Sequence, residues 1–183
     1  FATSLPNIKE RKPSVLALWL VPMQAPLKPI TKTEKSWSLE LAQKRSRQYH
    51  HSRGYVRSAL SEIWNVPNLD IPFYAPPGEP PELAAGWGYV SFSHCPDGLL
   101  IGWSPKKIGV DIEQESRSIN ASLIVNRFFS EKEKKILNSL EEKELLPAVL
   151  KHWVRKEAAI KWQRGKINTD IAKWSLCTNS NLM

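Results

Sequence analysis

The sequence predicts an α+β fold in which mostly antiparallel strands pack on helices. Two kinds of pattern support this class. A strand, turn and strand pattern at 89–103 indicates an antiparallel hairpin, and helical patterns cover 38–64 and 147–163. The length of 183 residues and the hydrophobic content of 42% allow a packed core, in one compact domain or in two small halves.

The N-terminal part predicts one strand, one helix and one loop. The most apolar run of the chain, at 15–21, is predicted as a buried strand. It is far shorter than the about 20 residues that cross a bilayer, so no membrane association is expected. A long helical stretch is predicted at 38–64, with a break at Gly54 left open as an alternative. Six prolines favour an extended loop over 66–82.

A hairpin is predicted next in the chain. Strands at 89–93 and 99–103 flank a Pro-Asp-Gly turn at 96–98, which brings His94 near the tip of the hairpin. A further strand is predicted at 108–112. These patterns place most of the predicted sheet in the middle of the sequence.

The remaining elements are mostly helical. Ser130 followed by Glu133 is the pattern of a capping box, which predicts a helix that begins there. A second helix is predicted at 147–163, with a proline at its start and Gly165 after its end. A weaker pattern indicates one strand at 174–177.

Composition limits the partner and the compartment. The chain has 26 Lys and Arg against 18 Asp and Glu, a net charge of +8, which favours nucleic acid, an acidic protein or a phosphorylated ligand as partner. Its two cysteines are too few for a disulfide framework, so a reducing cytoplasm is expected. The sequence has no motif of the common NTPases, dinucleotide-binding proteins or zinc enzymes.

Two carboxylates, Asp111 and Glu113, are separated by one apolar residue on the strand predicted at 108–112. Alternate residues of a strand face the same side, so the two carboxylates are expected to project together. Their oxygens would suit Mg²⁺, which prefers one or two carboxylates, waters and substrate phosphates. Taken alone, this pattern is more typical of solvated carboxylates at the end of a strand.

Charged residues on the predicted helix at 147–163 have a similar ambiguity. Glu157 and Lys161 are four residues apart, which is typical of a surface ion pair. Beside a metal-bound pyrophosphate, Lys156 and Lys161 could instead neutralise phosphate oxygens, and Glu157 could ligate the metal or act as a general base. His94 could contact a phosphate from the hairpin.

Together, these segments resemble the 4'-phosphopantetheinyl transferases of the larger, pseudo-twofold type, which includes the surfactin-synthetase-activating enzyme. The resemblance is carried by Gly-Val-Asp-Ile-Glu at 109–113, Phe-Phe-Ser at 128–130 leading to Glu133, and Trp-x-x-Lys-Glu-x-x-x-Lys at 153–161. Ser-Phe-Ser-His at 91–94 looks like the Ser-His motif of that family. The four motifs occur in the family's order.

The resemblance implies a fold of two similar α/β halves with pseudo-twofold symmetry. The N-terminal half, 1–105, would hold the basic helix and the Pro-rich loop, and the C-terminal half, 106–183, the metal-binding strand and the catalytic helix. The family continues with further strands after that helix, so a truncated second half is expected.

The resemblance also implies Mg²⁺-dependent transfer of the 4'-phosphopantetheine arm of coenzyme A to a serine of an apo acyl or peptidyl carrier protein. The implied metal ligands are Asp111, Glu113 and Glu157, and the implied catalytic residues are Glu157 and Lys161. Glu133 would support the site from a distance. The implied residues for binding coenzyme A are Lys44, Arg45, Arg53, Arg57, Ser93, His94, Lys156 and Lys161.

Two alternatives remain at this stage. The charge of +8, the eight tryptophans and the basic segment 44–57 also suit a nucleic-acid-binding protein. That reading leaves the carboxylates without a purpose, so no nucleic acid is expected as partner. The other alternative is an inactive relative that binds coenzyme A or a carrier protein. The protein is expected to be a monomer.

Overall fold

A three-stranded antiparallel sheet forms the centre of the N-terminal part of the protein. The computed structural model describes residues 15–176. The central strand of the sheet, β5, lies between β1 and β4. The strands of the chain, in order, are β1 (Ala17–Pro22), β2 (Phe73–Tyr74), β3 (Glu82–Leu83), β4 (Tyr89–His94) and β5 (Gly98–Ser104). The predicted hairpin and the position of the predicted first strand are confirmed. The burial predicted for that strand was wrong, because β1 lies at the edge of the sheet with Leu18 and Leu20 exposed.

One helix covers most of the stretch predicted at 38–64, and a shorter helix that was not predicted precedes it. They are α1 (Lys32–Leu39) and α2 (Gln43–Trp64). The chain is interrupted at 40–42, and α2 continues unbroken through Gly54. Gly54 is needed for packing instead, because a Cβ there would lie 2.6 Å from the carbonyl oxygen of Lys28. A side chain at this position would push the preceding loop away from α2.

The helix α2 packs on the sheet through a hydrophobic core. Apolar residues of its inner face meet the buried side chains of β5, and a group of tryptophans closes one end of this core. The buried members include Val56, Leu60, Trp64, Trp87, Leu99, Ile101 and Trp103. The stretch 66–82 crosses over this core. It is mostly irregular, as its prolines predicted, but it includes a 3₁₀ turn at Asn68–Asp70 and the short β2 and β3 pairing.

The C-terminal part is helical over the described residues. Its helices are α3 (Ala121–Phe128), α4 (Glu131–Leu137), α5 (Glu142–Gln163) and α6 (Ile167–Asp170). The capping box of Ser130 and Glu133 at the start of α4 is confirmed. A second hydrophobic core, around Val125, Phe129 and Val149, joins α3, α4 and α5 and shares no buried residue with the first.

The predicted start of α5 was wrong by five residues. The helix begins at Glu142 and includes the proline that was expected at its first position. Glu142 and Glu144 lie in its first turn, where negative charge interacts favourably with the helix dipole. These acidic residues, rather than the proline, mark the start of the helix.

Two strand predictions in the C-terminal part were also wrong. Residues 108–112 pair with no strand, and the backbone N–H of Val110 donates to the hydroxyl of Ser91 rather than to a neighbouring backbone. Residues 174–176 are not a strand either, and Cys177 lies outside the described residues. The mixed α/β class with small antiparallel sheets is confirmed, whereas pseudo-twofold symmetry stays a prediction.

From residue 15 to residue 176, the protein has no helix that combines the length and the apolar character of a membrane span.

Candidate active site

The segment 108–113, which we call the crossing segment, runs between the sheet and α5. A Cβ at Gly109 would lie 2.0 Å from the carbonyl oxygen of Ala158, so only glycine lets this backbone touch the helix. Val110 lies against Gly102 on the opposite side, where a Cβ on that glycine would come within 2.6 Å of it. The segment is therefore fixed between β5 and α5 without strand pairing. Its alternating pattern still points the apolar side chains at the sheet.

This packing brings Asp111 to the end of α5. Its Oδ1 accepts hydrogen bonds from the ammonium of Lys161 and from the hydroxyl of Ser93, both at 2.5 Å. Lys161 Nζ also lies 2.7 Å from Ser93 Oγ and 3.8 Å from Glu157 Oε2. The Asp111 side chain is only 4% exposed, whereas Lys161 is 25% exposed. Residues from the hairpin, the crossing segment and α5 thus meet at one point, which we call the carboxylate site (Ser93, Asp111, Glu157 and Lys161).

The electrostatics of this site distinguish its groups. Burial and the negative charge of Asp111 raise the pKa of Glu157 above its ordinary value of 4.5, against the opposing effect of Lys161. Burial and the positive charges of Lys161 and Arg53 lower the pKa of His94. A carboxylate with a raised pKa is a better proton acceptor, and a neutral imidazole can accept as well as donate hydrogen bonds.

Glu113 faces a different neighbour from Asp111. It forms an ion pair with Arg117, four residues along the chain, and its Oε1 accepts a hydrogen bond from the backbone N–H of Gln114. Its side chain lines a cavity beside the carboxylate site. The two carboxylates that the sequence grouped as a pair are therefore divided between two adjacent surroundings.

The cavity has a volume of about 660 Å³ and a basic rim. Lys44 and Arg47, both exposed, contribute from α2, and Arg117 contributes from the loop before α3. We call it the basic cavity. Its wall consists of Met23, Lys44, Arg47, Gln48, His51, His94, Cys95, Pro96, Glu113, Gln114 and Arg117.

Several of these residues were missed by the sequence reading. Arg47, Gln48, His51 and Arg117 line the cavity although none was predicted as a site residue. The spacing of 44, 47, 48 and 51 is that of one helix face, so the signal was present. His51 is 1% exposed, and its Nε2 lies 3.2 Å from the carbonyl oxygen of Pro22. Burial lowers its pKa.

Three arginines of α2 that were predicted to bind coenzyme A are not part of the cavity wall. Arg57 is buried in an ion pair with Glu34 at 2.9 Å, and Arg53 donates to the carbonyl oxygen of Ala75 at 3.0 and 3.1 Å. Arg45 is exposed on α2 but is not part of the wall. Because Arg53 and Arg57 anchor the loop over the core, they add nothing to the basic surface of α2.

Lys156 also lies away from the carboxylate site. It is 0% exposed, and its ammonium donates to Glu133 Oε2 at 2.8 Å and to the carbonyl oxygens of Phe128 and Ile171 at 3.3 Å. Glu133, which is 1% exposed, also accepts hydrogen bonds from the residues that cap α4. The pair joins α4 to α5 beneath the site.

The implied Mg²⁺ would have to be held by these carboxylates. Among residues 15–176, no group of three or more His, Cys, Asp or Glu side chains is arranged to hold a metal ion. Asp111 and Glu157 nevertheless both face one cation, the ammonium of Lys161. Mg²⁺ prefers hard oxygen ligands such as one or two carboxylates. The pair therefore fits the ion in its chemistry, and Glu113 faces the adjoining cavity.

The comparison with known families covers this same region. Residues 107–182 match the model of the 4'-phosphopantetheinyl transferase superfamily, ACPS. The match supports a transferase, with phosphopantetheine transfer as its general class of reaction. It covers less than half of the chain, but it includes Asp111, Glu157 and Lys161. No curated protein matches the chain significantly.

Proposed function

We propose that the protein transfers the 4'-phosphopantetheine arm of coenzyme A to a serine hydroxyl of an apo acyl or peptidyl carrier protein, with Mg²⁺ as cofactor. One observation carries the proposal. The carboxylate site adjoins a basic cavity, and Asp111, Glu157 and Lys161 of that site lie within the region whose sequence matches the 4'-phosphopantetheinyl transferase superfamily. The larger, surfactin-synthetase-activating type of the family is the subtype that the motifs resemble.

The basic cavity would bind the nucleotide part of coenzyme A. Its volume of about 660 Å³ lies in the usual range for small-molecule sites. Lys44, Arg47 and Arg117 would neutralise phosphate oxygens, and the neutral imidazole of His94 would contribute a hydrogen bond at the mouth. The pyrophosphate would then extend from the cavity towards Lys161.

The chemistry would take place at the carboxylate site. The carrier serine oxygen forms a bond to the phosphorus on the pantetheine side, and the bond from that phosphorus to the bridging oxygen breaks. Glu157 would accept the serine proton, a role for which its raised pKa suits it. Lys161 would neutralise the charge that develops on the leaving adenosine 3',5'-bisphosphate.

Asp111 and Glu157 would hold Mg²⁺, with Glu113 close enough in sequence to join them. When bound, the ion would supply charge neutralisation of the pyrophosphate and orient its oxygens. The carrier serine would approach from the solvent side of Lys161, which is partly exposed. The positive net charge of the chain would favour an acidic carrier protein.

The test is to incubate the protein with coenzyme A, Mg²⁺ and each of several apo carrier proteins, and to weigh the carriers by mass spectrometry. A mass increase equal to one phosphopantetheine group is the expected result. The Asp111→Asn variant, checked for folding by circular dichroism, should give no adduct. A wild-type protein that binds coenzyme A but modifies no carrier would favour the inactive relative over the enzyme. Full activity of the variant would exclude Asp111 from the site.

A further inference from the structure

The ammonium of Lys161 lies where the two carboxylates of the site converge. It is 2.5 Å from Asp111 Oδ1 and 3.8 Å from Glu157 Oε2, and it also contacts Ser93 Oγ at 2.7 Å. Opposite charges at such distances in a partly buried site interact strongly. Lys161 is thus hydrogen-bonded to one of the two carboxylates that the proposed Mg²⁺ would need, and its charge lies close to the other.

Because Asp111 is shielded from solvent, its contact with Lys161 excludes a metal ion from the same oxygen. With 4% of its side chain exposed, Asp111 offers little surface to an ion arriving from solvent. Its Oδ1 already accepts from both Ser93 and Lys161, so a metal ion at that oxygen would meet a positive charge within hydrogen-bond distance. An ammonium and a divalent cation cannot share so small a site without strong repulsion.

We infer that Lys161 is a built-in competitor of the metal ion, which holds the carboxylate site until a phosphate ligand draws the ammonium away. The flexible four-carbon chain of lysine lets the ammonium move several ångströms without any change in α5. Resting on the proposed function, the pyrophosphate of coenzyme A would be that ligand. Metal and coenzyme A would then bind cooperatively, and the protein alone would bind the metal weakly.

Metal binding by the protein alone tests this inference. We would titrate the full chain with Mn²⁺ at pH 8, without coenzyme A or carrier, and count free Mn²⁺ by electron paramagnetic resonance. Lys161→Met removes the competing charge and retains most of the aliphatic chain, so it should tighten Mn²⁺ binding by about tenfold or more. Lys161→Gln is a second neutral variant, and Lys161→Arg, which keeps the charge, should bind as weakly as the wild type.

Two controls locate the effect. Lys151→Met makes the same substitution at an exposed position of the same helix, and it should leave Mn²⁺ affinity unchanged. Adding Asp111→Asn to Lys161→Met should abolish the gain, because the neutral amide is a poor metal ligand. Circular dichroism and thermal melting would establish that each variant is folded.

The inference is overturned if both neutral variants bind Mn²⁺ no more tightly than the wild type, or if the gain survives Asp111→Asn. It is supported if the gain appears at Lys161 and depends on Asp111. Since the titration contains neither coenzyme A nor carrier, its outcome is separate from that of the transfer assay. A gain of metal affinity in the Lys161 variants, together with a wild type that modifies no carrier protein, would refute the proposed function and leave the competition established.

Discussion

Removal of the buried ammonium of Lys156 is the sharpest test of how the site is supported. The substitution Lys156→Met keeps most of the side-chain volume, so it leaves little empty space in the core. It removes the positive partner of Glu133, whose carboxylate is 1% exposed. The expected consequence is an uncompensated negative charge between α4 and α5.

The structure bounds the cost. Removing one partner of a buried ion pair costs about 3–5 kcal/mol of the free energy of unfolding. Glu133 keeps three other donors, namely the backbone N–H and hydroxyl of Ser130 and the backbone N–H of Leu176. Because these hydrogen bonds remain, we expect a cost at the lower end of that range, about 3 kcal/mol. For a chain of this size, such a loss lowers the melting temperature by about 6–12 °C.

The assay is urea unfolding followed by tryptophan fluorescence, with Lys134→Met as the matched control. Lys134 forms an ion pair with Glu131 at 2.8 Å within α4, the helix that also contains Glu133. The Glu131 side chain is 82% exposed. Loss of this exposed ion pair should change the free energy of unfolding far less than loss of the buried pair. The reasoning is refuted if Lys156→Met and Lys134→Met shift the unfolding midpoint equally.

A double variant separates charge from packing. In Lys156→Met with Glu133→Gln, the buried negative charge is removed together with its partner. The double variant should therefore be more stable than the sum of the two single effects predicts, by about 1 kcal/mol or more. Simple additivity would mean that the pair contributes through shape alone.

Three further predictions concern the cavity, the crossing segment and pH. Arg47→Ala should raise the KM for coenzyme A by about 10- to 100-fold, the loss of one charged hydrogen bond, while Arg45→Ala, outside the wall, leaves it near the wild-type value in a steady-state assay. Gly109→Ala should abolish transfer and destabilise the protein by about 1–3 kcal/mol, because its Cβ would meet the backbone of α5 at 2.0 Å. Gly98→Ala, whose Cβ would have its nearest contact at 3.3 Å, should lower the melting temperature only slightly. Equal melting temperatures of the two variants would contradict this prediction. Burial acts to raise the pKa of Glu133, but its hydrogen bonds outweigh burial and hold the pKa below 4.5. The stability from this carboxylate is therefore complete above pH 4.5 and is lost as the pH falls through the lowered pKa, so urea midpoints at decreasing pH should drop less for Glu133→Gln than for the wild type.

Local patterns predicted the hairpin, the α4 cap and most of α5, because each depends on residues close together in sequence. The strand predicted at 108–112 failed for a related reason. Its alternation is real, since Val110 faces the sheet and Asp111 faces α5, but strand pairing depends on a neighbour that no local pattern reveals. An alternating apolar pattern indicates that one side of a segment is buried, but it does not indicate that the segment is hydrogen-bonded to a neighbouring strand.

The candidate residues show the same division. Asp111, Glu157 and Lys161 were selected from their spacing and resemblance, and the structure brings them together. Lys156 adjoins Glu157 in sequence, yet it is buried against Glu133. Because Glu133 lies 23 residues away in the chain, no local pattern reveals this partner. On α2, Arg47 and Arg57 look alike in sequence, and the packing of Glu34 and of the loop at 66–82 determines which arginine is covered.

The separation of the two hydrophobic cores gives the site a mechanical property. Ser93 belongs to the sheet that rests on the first core, whereas Lys161 belongs to the helix that rests on the second. The contact of 2.7 Å between Ser93 and Lys161 therefore depends on how closely the sheet and α5 pack together. A slight separation would break the site while each core remained intact. Loss of activity should thus precede unfolding as conditions become harsher.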